Sequence, residues 1–217
     1  MSCSSKREGQ RWAWGIIAAT PRGMATRTDR GSLLTEEELH ERALTWLERF
    51  DGSVEQLRRV LRRAVARRYP EGDPQREQGF RAADAALERL QRSGLLNDER
   101  FALAAARGMQ SRGKSQRRIS ALLTQRGVDA SALDAALGVM KSEGGEDAEL
   151  EAARVFVRKR RLGPCRPAAE RRERRQRDLA SLARAGFSFS VARRALEVTA
   201  ADEDASEEGD DDPSTGD

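Results

Sequence analysis

The chain repeats itself. Shifted by 62 residues, Leu39, Ala43, Leu47, Ser53, Leu57, Val60 and Leu61 fall on Phe101, Ala105, Met109, Ser115, Ile119, Leu122 and Leu123. Shifted by 59, Ala121, Leu123, Gly127, Ser131, Ala136 and Leu137 fall on Ala180, Leu182, Gly186, Ser190, Ala195 and Leu196. The matched positions are apolar at helical spacing, or serines and glycines at places where helices start and stop. A unit of this size buries its apolar face by stacking on its neighbours. The expected fold is therefore all-α: an elongated, right-handed-type array of three tandem three-helix repeats, over 35–96, 97–143 and 146–199. A disordered N-terminal extension (1–34) and a disordered acidic tail (200–217) are expected to flank it.

Local signals place the helices. Thr35 and Glu38 form a capping box ahead of a helix over about 36–50. "DGS" stops that helix, and Ser53 caps the next, over 54–68. There Val54, Leu57, Val60, Leu61, Ala64 and Val65 share one face, opposite Arg58, Arg59, Arg62 and Arg63. "YPEGDP" reads as a loop before a helix over 76–92, closed by Ser93-Gly94. Asn97 is an N-cap, Asp98 and Glu99 suit the first turn, and Leu96 with Phe101 makes a hydrophobic staple. Ser115 caps a helix over 116–126 that ends at Gly127. "VDASALDAALGVM" forms another helix, and "KSEGGED" closes that group. Helices over 147–161, 168–185 and 188–198 complete the chain, with a break at "LGPCRP".

Composition narrows the function. Charged residues make up 35% and aromatics 5%, which suits solvated helices. Nine of the 36 acidic residues lie in 201–217. That leaves 27 against all 40 basic residues in the first 200, a net of +13. A basic body favours polyanions or acidic protein surfaces, with a merely soluble surface as the plain alternative. Cys3 and Cys165 form no disulfide framework and no metal-ligand spacing. His40 reads as a surface residue, so zinc and Ser-His-Asp chemistry are excluded, and no cofactor is implied. No apolar run approaches the roughly 18 residues of a membrane span. "RWAWGIIAA" reads as part of the extension, with a signal segment or a start at Met24 as alternatives. The expected location is the cytoplasm.

"GMQSRGKS" (108–115) matches G-x-x-x-x-G-K-[ST], the phosphate loop of nucleotidases. That loop requires a strand before it. Here "NDERFALAAAR" precedes it, a helical stretch. In the repeat register "SRGKS" falls on "FDGS", a turn between helices. The ATPase reading therefore fails, and no carboxylate lies in an apolar context suited to acid–base work. The chain is expected not to be an enzyme.

"GLLNDERFA" followed by "SRGKSQRRISALLTQRGVD" closely resembles the middle-repeat signature of the RecX family, regulators of the bacterial recombinase RecA. Leu96, Asp98, Arg100, Phe101 and Ala102 match its first stretch. Gly113, Arg118, Ile119, Leu122, Gly127 and Val128 match its second. Asn97 stands where the family has aspartate. The resemblance covers about 35–199 and is densest over 94–137. It implies a regulator that binds RecA in the groove of its filament on DNA. Such a regulator restrains recombinase, ATPase and coprotease activity in DNA repair and the SOS response. A monomer with at most weak direct DNA contact and no membrane partner is expected. The alternative is a general basic helical DNA-binding protein.

Three basic groups are candidates for RecA or DNA contact. They are Arg58, Arg59, Arg62 and Arg63; Arg107, Arg112, Lys114, Arg117 and Arg118; and Arg158, Lys159, Arg160 and Arg161. A solvated helix face is the plain alternative for each. Arg100 is a candidate structural partner for a neighbouring carboxylate. Phe101, Ile119, Leu122 and Leu123 are expected in the core.

Overall fold

A computed structural model describes residues 33–197. The expected disordered ends lie outside these residues, apart from Leu33 and Leu34. The described elements are all helical: α1 (Glu36–Leu47), α2 (Val54–Arg68), α3 (Pro74–Arg92), α4 (Asp98–Gln110) and α5 (Gln116–Gln125). They continue with α6 (Ala130–Glu143), α7 (Gly145–Arg160), a 3-10 turn (Gly163–Cys165), α8 (Ala168–Ala185) and α9 (Phe189–Ala195). None is long and apolar enough to cross a membrane.

The caps explain these boundaries. The hydroxyl of Thr35 accepts the Glu38 amide at 3.2 Å, and the Glu38 carboxylate accepts the Thr35 amide at 3.1 Å. Ser53 and Gln56 form a second such box. Asn97 accepts the Arg100 amide at 2.8 Å, and Ser115 that of Arg118 at 3.2 Å. Some boundaries differ from expectation. α3 starts at Pro74, because Asp73 caps it and proline fits the first helical position, so the preceding loop is short. α1 ends at Leu47. "KSEGGED" is not a loop: α6 continues to Glu143, and only Gly144 separates it from α7.

Three apolar clusters hold the helices. In the first, α3 packs against both α1 and α2, and Leu39, Leu57, Leu61 and Leu90 are fully buried. In the second, α4 lies along α6, where Ala102, Ala106 and Ala136 keep both contact faces small, and Ile119 and Leu123 enter from α5. In the third, α7 packs on α9, and Val157, Leu182, Phe187 and Val191 share one buried cluster to which α8 contributes Leu182. Each fully buried leucine contributes about 1.5–3 kcal/mol relative to an exposed one.

The groups are joined by the same hydrogen-bonded clasp, made twice. Ser53 Oγ donates to the Arg126 carbonyl at 2.7 Å, and Ser115 Oγ donates to the Ala185 carbonyl at 2.6 Å. Gly127 and Gly186 follow those carbonyls with φ of 78° and 96°, so each turns left-handed where the serine approaches. A Cβ at Gly186 would lie 2.6 Å from Ser115 Oγ. A carboxylate completes each clasp. Asp98 accepts the Val54 amide at 2.8 Å, and Glu149 accepts the Gln116 amide at 3.1 Å. Burial raises the pKa of both acids, against those amide bonds.

Both serines are fully buried, and each hydroxyl serves as helix cap and inter-group donor. Ser53→Ala and Ser115→Ala are each expected to cost roughly 1–3 kcal/mol, by removing a cap and stranding a carbonyl. Urea unfolding checks this, and a cost within that of an ordinary exposed cap would show the second bond to be idle.

Candidate anion-binding site

α4 ends at Gln110, and the chain turns through Ser111–Lys114 into α5. Gly113 sits at φ +82°, and a Cβ there would stand 2.9 Å from the Phe156 amide nitrogen and 3.2 Å from the Ala152 carbonyl. The turn is therefore seated directly on the backbone of α7. The last turn of α7 reaches back: Lys159 Nζ donates to the Arg112 carbonyl at 3.0 Å.

This seating brings cations from distant parts of the chain together. Burial lowers the pKa of Lys114, and the charges of Arg118, Arg112 and Lys159 lower it further. Every charged group acting on Lys114 is thus a cation. Burial likewise lowers the pKa of Arg126, at the end of α5, and Arg112 adds to the effect. Among the described residues Lys114, Arg117, Arg118 and Lys159 make no ion pair. Arg117 and Arg118 also occupy the first turn of α5, which has no acidic residue of its own but whose Gln116 amide already meets the Glu149 carboxylate of α7. The helix dipole favours anions at that end. Concentrated, partly desolvated positive charge can hold an anion of several charges.

The other candidates are placed differently. Arg58 pairs with Glu55 at 2.8 Å and Asp84 at 3.2 Å, Arg59 with Glu55 at 3.1 Å, and Arg62 with Asp84 at 3.2 Å. Arg62 also lies over the Phe80 ring, 4.9 Å from its centroid. Burial raises the pKa of Glu55, but the arginine bonds outweigh it and leave it lowered. That stripe is locally neutralised, with Arg63 exposed beside it. Arg107 pairs with Glu143. Arg158, Arg160 and Arg161 are exposed at the end of α7, Arg160 lying over Phe156 and Arg161 closing the helix at φ 50°. Arg100 bonds the Leu95 carbonyl at 3.2 Å, not a carboxylate. Phe101, Ile119 and Leu123 are buried, and Leu122 is partly so. His40 is half-buried on α1.

Arg126 was not a sequence candidate. Its only sequence signal is its place about two helical turns along α5 from Arg118.

The nucleotide-loop pattern has no loop. Gly108 lies inside α4, and no strand occurs among the described residues. The turn amides are already engaged: Arg112 and Lys114 donate to the Met109 carbonyl at 3.2 Å, and Gly113 donates to that of Gln110 at 2.8 Å. They cannot cradle a phosphate.

A family profile described as "RecX, second three-helix domain" matches residues 97–137. The curated "Regulatory protein RecX" of Myxococcus xanthus is 38% identical over 160 residues, covering 73% of this chain and 84% of that protein. The chain belongs to the RecX family of regulatory proteins. The RecX of Halorhodospira halophila is 38% identical over 152 residues (69% of this chain, 82% of that one). That of Xanthomonas axonopodis pv. citri is 34% identical over 166 residues (76% and 90%). No solved structure gives a significant match. The RecX profile spans α4, α5 and the start of α6, so it includes Arg112, Lys114, Arg118 and Arg126 and stops short of Lys159.

Proposed function

We propose that this chain is a non-enzymatic, cytoplasmic monomer that binds the RecA filament on DNA and restrains its recombinase, ATPase and coprotease activities. The observation that carries the reading is the cation cluster around Lys114, with its unpaired neighbours Arg118 and Lys159. A filament groove on DNA offers phosphates and acidic side chains, the ligands such a cluster takes. The three helix groups, 35–96, 97–143 and 146–199, would act as successive units along that groove. The test is RecA's DNA-dependent ATP turnover. A stoichiometric amount of this protein is expected to lower it while showing no turnover of its own, and an unchanged RecA rate would sink the reading.

Lys114→Ala is expected to weaken that inhibition modestly, by about two- to fivefold, as the loss of one anion contact among several. Its helical circular dichroism should match the native chain. Tight duplex binding without RecA, falling steeply with salt, would favour a general DNA-binding protein instead.

A further inference from the structure

The described chain ends just after α9, which packs on α7, the helix that carries Lys159 of the cation cluster. Leu196 is buried against the 3-10 turn, where a Cβ on Gly163 would lie 2.6 Å from Leu196 Cδ2. Gly163 stands four residues after Lys159, the α7 residue bonded to the Arg112 carbonyl. On its other flank α9 follows Gly186, which packs on Ser115 and Arg117 at the start of α5. The segment that continues from this point carries nine Asp and Glu residues in 201–217 and no Lys or Arg. Asp202 is only five residues beyond Glu197. An extended chain covers up to roughly 3.3–3.6 Å per residue, so reach is not limiting.

We propose that the carboxylates of 201–217 dock on the cationic junction of Arg112, Lys114, Arg118, Arg126 and Lys159 in the same chain, where they compete with any external polyanion. Charge complementarity at short tether favours this docking. Its Lys114, Arg118 and Lys159 make no ion pair among the described residues, and the most acidic segment of the chain starts five residues after Glu197. A tethered segment acts at a millimolar effective concentration. One that binds at about 0.1 mM when free therefore weakens a competitor about tenfold. The device requires only that the junction binds anions, so it stands or falls separately from the RecA reading.

Lysine usage makes the test specific, because the chain has four lysines: Lys6, Lys114, Lys141 and Lys159. Zero-length carbodiimide cross-linking of the full chain, mapped by mass spectrometry, is expected to join tail carboxylates to Lys114 and Lys159. Lys141, exposed on α6, serves as the internal control. In parallel, the nine tail acids are changed to their amides, and affinity is measured for a labelled single-stranded oligo-dT. The amide variant is expected to bind about tenfold tighter than the native chain at about 50 mM salt. The gap should close to about twofold at about 500 mM, as screening shortens the charge interaction. Lys114→Gln with Lys159→Gln should shrink the low-salt gap to about twofold.

Equal affinity of native and amide chains at every salt concentration overturns the proposal. So does an undiminished gap in the double-lysine variant, which would put the tail elsewhere. Cross-links between isotopically distinct copies, instead of within one chain, would also overturn it, by making the occupant a second molecule.

Discussion

Asp178→Ala is expected to cost about 3–5 kcal/mol, the loss usual when one partner of a buried ion pair is removed. Asp178 is 1% exposed. Its carboxylate accepts the Gly163 amide at 2.8 Å and two Arg166 guanidinium bonds at 3.0 Å. Deleting it strands that amide beneath the fold and releases the 3-10 turn from α8. Domains of this kind are typically stable by about 5–15 kcal/mol, so the third helix group should be left close to unfolding. Urea unfolding followed by circular dichroism checks the loss, and one below about 1 kcal/mol would mean the network is dispensable.

A pH signature accompanies it. Burial pushes the Asp178 carboxyl upward, but the bonds from Arg166 and Gly163, and the charges of Arg166 and Arg174, outweigh it and hold it below its ordinary value. A depressed folded value means the stabilisation is complete above the unfolded value, about 3.9. It is lost as pH falls through the lower, folded one. The native chain should therefore lose this contribution only in strong acid, and Asp178→Ala should flatten that part of the acid profile.

Gly113→Ala should have the second largest effect. A side chain at φ +82° is strained by about 1–2 kcal/mol, and here the added carbon also meets backbone atoms of α7, which cannot rotate away. The combined cost is expected at about 2–4 kcal/mol. The turn must lift off α7, which separates Lys159 from Arg112 and Lys114, so affinity for oligo-dT should also fall by roughly tenfold. Gly94→Ala is the control. Its φ is +73°, but nothing lies within 4 Å of a Cβ there, so only the strain applies. Equal losses at both glycines would refute the claim that the turn is seated on α7.

What was legible in the sequence was local. Thr35, Ser53, Asn97 and Ser115 cap helices through residues three positions away, and that spacing is written in the chain. The second bond of Ser53 goes to Arg126, a separation of 73 residues, and no local pattern encodes it. The same limit applies to the charges. Glu55 lies within one turn of Arg58 and Arg59, but Asp84 reaches the stripe from α3 only once the first group has folded. Lys159 joins Lys114 only because glycine at 113 lets the turn rest on α7. Asp178 sits in "RRERRQRDLA", a stretch that reads as solvated. Its burial follows from Arg166 and Gly163, which lie across a chain reversal.

The twice-made clasp has a consequence for how such chains can grow. Its donor half is a buried cap serine at the start of a second helix, and its acceptor half is a carbonyl followed by a left-handed glycine. The α4–α6 group carries both, in Ser115 and in Arg126-Gly127. The first group closes its second helix with Tyr69 in an extended conformation, and the last opens α8 with Pro167, which makes no side-chain cap. The outer groups are therefore terminators and the middle one is a link. A gene duplicating α4–α6 in tandem would meet matched halves at every seam. One duplicating either end would place a tyrosine or a proline where the seam needs a glycine or a serine.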